Sequence, residues 1–420
     1  MHKQHISQEI KYELLFSTIK KCYDYVPFYK NLFDLNKLDY NKIKSLNDIN
    51  LIPFTNKTDL INNYPFGLFA VDQKEIVRIH QSSGTHDVPK VIGYTHKDLK
   101  NWQNTCIQTL KATGCTNNDV IQIAFNYGLF TGGLGFHAAA EKLRLTVIPS
   151  SCNNTYKQIS LLKDMQTTIL CCTPSYALYI GNTIKKLGED PKTFNLNTAI
   201  LGAENLSDNM RKLIETLFNL EVYNTYGLSE MYGPGVAFEC EYHCGMHINE
   251  DYFLPEVINP KTLEVLENGE IGELVLTTLQ HQAMPLLRYR TGDLTSLKKE
   301  LCPCGRTLIK MSNPLGRSDD MFIIKGVNIF PSQIENVIFK EISNIADYRI
   351  IIDKIDNIDR LTVDIDLLNS VNDKNLKGRI EKILKNKLCV KANVNILVDN
   401  LAYEIKAKTN HLIDRRKISE

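Results

Sequence analysis

Val120-Ile121-Gln122-Ile123-Ala124-Phe125, Leu145-Thr146-Val147-Ile148, Thr168-Ile169-Leu170-Cys171-Cys172 and Thr198-Ala199-Ile200-Leu201 are four short, mostly apolar runs. Stretches of helical spacing, Ala138 to Leu143 and Tyr156 to Lys163, lie between them. Runs this short read as buried strands rather than core helices. Strands that alternate with helices are joined by crossovers, which predicts a largely parallel α/β sheet. On the N-terminal side, up to about Asn63, the chain reads as helices and loops. There Leu14, Leu15, Ile19 and Tyr23 mark a helix that ends near Pro27. On the C-terminal side, Leu254 to Thr295 changes to shorter strands punctuated by Asn259-Pro260 and Asn268-Gly269, a β-rich subdomain. After Gly316 comes a polar joint, Arg317-Ser318-Asp319-Asp320. Beyond it, Met321 to Ile324, Pro331 to Lys340, Tyr348 to Ile352, Leu361 to Leu367 and Lys374 to Lys387 follow a βαββα-like pattern. The expected fold is therefore α/β. A large N-terminal domain, residues 1–316, holds mostly parallel sheets and the β-rich part, and residues 317–420 form a small α+β domain.

Bulk properties narrow the function. The 420 residues are 43% hydrophobic and 23% charged, ample for a packed core and unlike a disordered chain. Forty-nine basic against 48 acidic residues leave a net charge of +1, which gives no support to a nucleic-acid or membrane-surface role. The polar start, MHKQHISQEI, lacks the apolar core of a signal peptide, and no run approaches the roughly 20 apolar residues of a membrane span. A cytoplasmic location is expected, where the eleven cysteines would stay reduced.

Five motifs could carry chemistry. Gln81-Ser82-Ser83-Gly84-Thr85 follows a strand-like run, and small hydroxyl residues around a glycine let amides and hydroxyls converge on phosphate. Asn224-Thr225-Tyr226-Gly227-Leu228-Ser229-Glu230 offers a flat ring for a base and a carboxylate for magnesium. Arg288-Tyr289-Arg290-Thr291-Gly292-Asp293 ends in a carboxylate suited to the two hydroxyls of a ribose. Gly316-Arg317-Ser318-Asp319-Asp320 is followed by Lys325-Gly326-Val327-Asn328, and Ile405-Lys406-Ala407-Lys408 precedes Asp414, Arg415 and Arg416. Taken singly, each is also what a turn, a strand end or a solvated ion pair would show.

Their order is far more specific. In this succession they resemble the motif series of adenylate-forming enzymes, and within these the phenylacetate–CoA ligase family. Further matching stretches are Val26-Pro27-Phe28-Tyr29, Asn63 to Ala70, Tyr127 to Gly135, Thr173-Pro174-Ser175-Tyr176, Gly202-Ala203-Glu204 and Gly326 to Pro331, so the resemblance spans nearly the whole chain. It implies two half-reactions: a carboxylic acid, aryl or arylacetic, attacks the α-phosphate of ATP to give an acyl-adenylate and pyrophosphate, and a thiol then displaces AMP. That thiol would belong to coenzyme A or to a carrier protein. By position, Ser82, Ser83, Gly84 and Thr85 would cradle phosphates, with Glu204, Tyr226, Gly227, Ser229, Asp293 and Arg317 completing the nucleotide site. Glu230 would hold magnesium, and Lys408, with Lys406 as its competitor, would stabilise adenylation. Tyr127, Phe130, Phe136, Gly202 and Ala203 would line the acid pocket, and Asp319 would be the hinge of a mobile C-terminal domain. Dimers are usual among similar enzymes. Two other readings are an adenylating enzyme that loads a carrier protein or forms an amide, and a non-catalytic nucleotide-binding relative.

One departure favours the last. The family's phosphate loop continues Thr-Gly-Lys-Pro, whereas this chain has His86-Asp87-Val88-Pro89. The loop lysine is missing, Asp87 brings negative charge toward a polyphosphate, and Lys90, two residues on, is the candidate replacement.

Cys240, His243, Cys244 and His247, then Cys302-Pro303-Cys304-Gly305, supply soft and borderline ligands on two loops, which suits structural zinc. The resemblance points to Cys240, His247, Cys302 and Cys304 as the set, with Cys244 and His243 as alternatives. Cys171-Cys172 reads as core.

Overall fold

A computed structural model describes residues 6–82, 89–152, 154–318, 322–324, 327–342, 345–355, 358–367, 373, 375–388, 390–398 and 411–417. The first helix, α1 (Gln8–Tyr25), is capped by Ser7 and buries Leu15, Ile19 and Cys22. It stops just before Pro27, which opens α2 (Pro27–Leu35) at the first helical position, where a missing N–H costs nothing. After α3 (Lys57–Asn62), β1 (Arg78–Gln81) and β2 (Val91–Tyr94) form an antiparallel hairpin.

The helix α4 (His96–Ala112) opens with a capping box between Thr95 and Asp98. The fully buried Asp98 carboxylate does more than cap. It accepts from Thr95 N and Oγ1 at 2.9 and 2.8 Å, and from the amides of Gln282 and Ala283 at 2.6 and 3.0 Å. Asp98→Ala should therefore destabilise the protein by on the order of 3 kcal/mol, since four donors lose an ionised acceptor. Urea unfolding would measure this as a lower midpoint at unchanged slope.

Strand–helix alternation then produces parallel pairs. β3 (Val120–Ile123) pairs with β4 (Thr146–Ile148) across α5 (Leu134–Lys142). After α6 (Thr155–Asp164), β5 (Ile169–Cys172) pairs with β6 (Thr198–Gly202) across α7 (Pro174–Lys186), and α8 (Asp208–Phe218) follows. All residues of β5 and β6 are buried, as expected of strands covered on both faces.

Antiparallel pairing takes over at β7 (Glu221–Leu228). β8 (Gly233–Phe238), β9 (Met246–Ile248), β10 (Phe253–Ile258), β11 (Ile271–Thr278), β12 (Tyr289–Lys298) and β13 (Lys310–Met311) lie in the order β10-β11-β12-β13-β9-β8-β7. Short loops permit this, because antiparallel neighbours need no crossover helix.

Past β14 (Gly316–Arg317), β15 (Phe322–Ile324) and β16 (Val327–Ile329) form a hairpin. α9 (Pro331–Glu341), β17 (Ile345–Ile355), β18 (Ile358–Leu367), α10 (Leu376–Leu388), β19 (Ala392–Val398) and β20 (Leu412–Asp414) follow. The β17–β18 hairpin gains β19 and β20 as parallel edge strands, which the pattern read from sequence did not include.

Packing divides the chain into two units, residues 1–151 with 223–314, and residues 152–222 with 315–420. In the second unit, Asn182 Nδ2 donates to Ile345 O at 3.2 Å and Asn209 Nδ2 to Asn336 O at 3.3 Å.

Candidate active site

The Ser/Gly motif sits at the end of the β1–β2 hairpin. Gln81 is opposite Val91, and Ser82 N donates to Lys90 O at 3.0 Å, which closes the base of the loop. Ser83, Gly84, Thr85 and the divergent His86 to Val88 lie outside the described residues. The hairpin is tied to the glycine-rich segment 127–135, since Gln81 N donates to Leu129 O at 2.9 Å and His80 Nδ1 lies 3.1 Å from the same oxygen. Ser82 Oγ is buried without a hydrogen-bond partner among the described residues. A buried hydroxyl of this kind is costly unless it meets a ligand, and phosphate oxygens are suitable acceptors.

Glu230 stands in the turn after β7, only 4% exposed. Its Oε1 forms an ion pair with Lys90 Nζ and accepts from Tyr289 OH at 3.2 Å. Burial acts to raise its pKa, but the Lys90 ammonium, and behind it the Tyr289 hydroxyl, hold the carboxyl below the ordinary glutamate value. The turn depends on glycine. A Cβ on Gly227 would come 2.0 Å from Gly233 O, and Gly233 itself has φ of +108°. Next to it, Ser229 Oγ lies 3.2 Å from Thr131 Oγ1, so the second motif meets the glycine-rich segment.

Tyr226 OH donates to Asp293 Oδ2 at 2.5 Å, which joins the ring expected to pack on adenine to the carboxylate expected to hold the ribose hydroxyls. Both side chains are half-buried and so open to a ligand. The two arginines of the same motif are committed elsewhere. Arg288 makes a bidentate pair with Glu256 at 2.8 and 3.0 Å, and Arg290 grips Glu273 at 2.5 and 3.1 Å. They hold β12 in register rather than facing phosphate.

In the acid-pocket set, Tyr127 OH lies 3.2 Å from His137 Nδ1, whose Nε2 is 3.1 Å from Glu141 Oε1. The Tyr127 ring covers Gly133, where a Cβ would approach it to 3.0 Å, and the Phe130 ring likewise covers Gly132. Phe136 is fully buried and stacks on Phe125 at 6.4 Å.

The second unit carries Gly202, Ala203, Glu204 and Arg317. Gly202 ends β6, and Ala203 adopts φ of +68°, a left-handed conformation that non-glycine residues rarely hold without cause. Glu204 Oε2 accepts from Ser175 N at 3.2 Å, which places a carboxylate at the N-terminus of α7. Close by, burial and then the Glu204 charge push the Glu335 carboxyl up to about 8. Arg317 lies on β14. Asp319, Lys406 and Lys408 lie outside the described residues.

Cys240, His247, Cys302 and Cys304 come together, all buried, with their ligand atoms within 4.8 Å of one another. Cys240 Sγ is 3.7 Å from Cys302 Sγ, and Cys304 Sγ is 3.5 Å from His247 Nε2. A tetrahedron built on zinc–sulfur and zinc–nitrogen bonds of about 2.3 and 2.05 Å has edges of roughly 3.8 and 3.6 Å, so this donor set fits the ion. The antiparallel pairing of β9 with β13 sets His247 opposite Lys310, and the Cys-Pro-Cys-Gly turn is closed by Gly305 N donating to Cys302 O at 2.8 Å. Cys244 is exposed, 3.6 Å from Cys302 Sγ, and His243 Nδ1 faces Glu239 at 3.3 Å.

The sequence assigns no role to Tyr289, Thr131 or His137. The first is the second residue of the motif that ends in Asp293, and the other two lie in or beside the glycine-rich stretch.

The family model of the AMP-binding enzyme matches residues 35–282, and that of the AMP-binding enzyme C-terminal domain matches residues 326–416. Phenylacetate-coenzyme A ligase from Pseudomonas putida is 40% identical over 99% of this chain and 95% of its own length. The protein of that name from Thermus thermophilus is 44% identical over 84% of this chain and 80% of its own. Among solved structures, 2-hydroxyisobutyryl-CoA ligase in the postadenylation state in complex with 2-HIB-AMP gives a TM-score of 0.90 at 24% identity, covering 98% of this chain and 90% of that one, a likeness of fold. A chain with these motifs in this order, sharing 40% of its residues with such a ligase along almost its entire length, belongs to the phenylacetate–coenzyme A ligase family of AMP-binding enzymes.

Proposed function

We propose that the protein is an ATP-dependent acid–CoA ligase that activates an aryl or arylacetic acid as acyl-AMP and passes the acyl group to the thiol of coenzyme A. The observation that carries this reading is the buried Glu230 carboxylate at the foot of the Ser/Gly loop, held ionised against Lys90. A hard, anionic oxygen beside a phosphate loop suits magnesium. When bound there, the ion supplies the positive charge that two approaching anions, a carboxylate and a polyphosphate, require.

The chain's own residues then divide the work. Ser82, Ser83, Gly84 and Thr85 hold the phosphates, Tyr226 packs on adenine, Asp293 and Arg317 hold the ribose, and Glu204, Gly227 and Ser229 also serve the nucleotide. Holding the acid's carboxylate in line with the α-phosphorus turns a bimolecular step into a local one. Lys408 stabilises the adenylation transition state, and Tyr127, Phe130, Phe136, Gly202 and Ala203 line the acid pocket. The small domain begins at residue 317 and turns at Asp319 between half-reactions. Cys240, His247, Cys302 and Cys304 hold a structural zinc. The free cysteines and the use of ATP and CoA suit the cytoplasm. No helix of the described residues is long and apolar enough to cross a membrane.

Acid-dependent exchange of labelled pyrophosphate into ATP, over a panel of aryl, arylacetic and short aliphatic acids, tests the first half-reaction. Adding CoA and detecting thioester tests the second. Exchange and thioester with aryl or arylacetic acids are expected. Exchange with CoA refused would favour a carrier protein or an amine as acceptor, and folded protein without exchange for any acid would favour a non-catalytic relative.

A further inference from the structure

The loop of this chain lacks the family's lysine, yet a lysine occupies the place where charge matters. Lys90 starts at the base of the hairpin, its carbonyl pinned by Ser82 N at 3.0 Å and its neighbour Val91 paired with Gln81. Only the side chain is left to move, and it ends on Glu230 with 14% of its surface exposed. Glu230 has 5% of its side chain exposed, so an unpaired carboxylate there would carry a large desolvation cost. Tyr289 OH, at 3.2 Å, donates a hydrogen bond but no charge.

We propose that Lys90 is an exchangeable counter-ion: it neutralises Glu230 while the site is empty, and when the metal–nucleotide enters it cedes the carboxylate to the divalent ion and turns its ammonium onto the phosphates. This rests on the reading of Glu230 as the magnesium ligand. The lysine ammonium is a compact point charge on a flexible stem, suited to changing partners, where the forked guanidinium of arginine would tend to lock the pair. The exchange spares Glu230 from ever facing a polyphosphate as a naked anion. It also accounts for the lysine missing from the phosphate-loop motif: the cation is supplied by Lys90 at the base of the loop. Lys90 thus acts as a positioning residue for the charge balance of the site.

The test is ATP binding to the full-length protein, by calorimetry without any acid, in EDTA and in saturating Mg2+, for wild type, Lys90→Met and Lys90→Arg. In EDTA, Lys90→Met is expected to weaken ATP binding about tenfold or more, because the uncovered carboxylate repels the phosphates. In Mg2+ the loss should shrink to roughly threefold, since the ion covers Glu230 in either protein. The ratio of the two affinities therefore rises in the methionine variant, and Lys90→Arg should restore binding in EDTA. A merely structural lysine would lower the thermal midpoint but leave that ratio unchanged, which would overturn the proposal, as would equal weakening in both media. Wild type that exchanges pyrophosphate yet shows an unchanged ratio in the variant sinks this inference alone. The expected ratio in a protein that adenylates no acid sinks the proposed activity alone.

Discussion

Glu230→Gln is expected to lower acid-dependent pyrophosphate exchange by on the order of 10²–10³, the scale on which a preorganised electrostatic contact in an active site acts. The amide keeps the shape and can still accept from Tyr289 OH, now at 3.2 Å, so the loss would report charge rather than packing. It should come with at least a tenfold rise in the Mg2+ needed for half-maximal rate, since a neutral amide oxygen is a poorer ligand for a hard cation. Stability should fall too, by about 3 kcal/mol, because the largely buried Lys90 ammonium is left without its partner. The double variant Lys90→Met/Glu230→Gln separates the two effects. Replacing both charges with uncharged groups of similar size should recover most of the stability, as paired replacements often do, while exchange stays low. Exchange in Glu230→Gln within threefold of wild type at every Mg2+ concentration would remove Glu230 from the metal site.

How much of this was legible depends on the range over which each contact acts. Tyr226, Glu230 and Asp293 are marked by short local motifs, because a ring, a carboxylate and a turn glycine must follow one another closely to serve one ligand. Their mutual geometry is not local. Tyr289 reaches Glu230 across 59 positions, and Lys90 reaches it across 140, and no periodicity records such pairs. The parallel pairs β3–β4 and β5–β6 show as apolar runs because both faces are buried. By contrast β20 is three half-buried residues, too short to stand out as a strand. The side-chain bonds of Asn182 and Asn209, which tie residues 152–222 to 315–420, leave no pattern at all. The acid-pocket set read from sequence shows the same limit: Tyr127 and Phe136 lie nine positions apart. One is half-buried against a histidine and the other is sealed against Phe125.

Cys302→Ser should abolish stoichiometric zinc. Wild type purified without chelator is expected to hold about one zinc per chain, and the variant less than a tenth of that after dialysis against a chelator. The unfolding free energy should drop by on the order of 4 kcal/mol, as for other losses of a structural ion. Cys302 is the informative position because it contacts two thiols, Cys240 Sγ at 3.7 Å and Cys244 Sγ at 3.6 Å. Burial favours the first: Cys240 is fully buried, and its thiol is pushed up by that burial, so a cation is what would turn it into a thiolate. Cys244 is exposed and also touches Lys310 Nζ at 3.3 Å, a contact that supplies charge without a metal. Cys244→Ser should accordingly retain zinc, and the reverse outcome would exchange the two cysteines in the ligand set. Zinc uptake should weaken as pH falls, because each thiol must release a proton to bind. Activity is expected to suffer less than stability. The cluster fastens the β9–β13 pair beside β12, where Leu297 pairs with Met311, while Asp293 lies four residues away on the same strand. A loosened β9–β13 pair should therefore appear first as weaker ATP binding, with the maximal rate of exchange held within a few-fold of wild type.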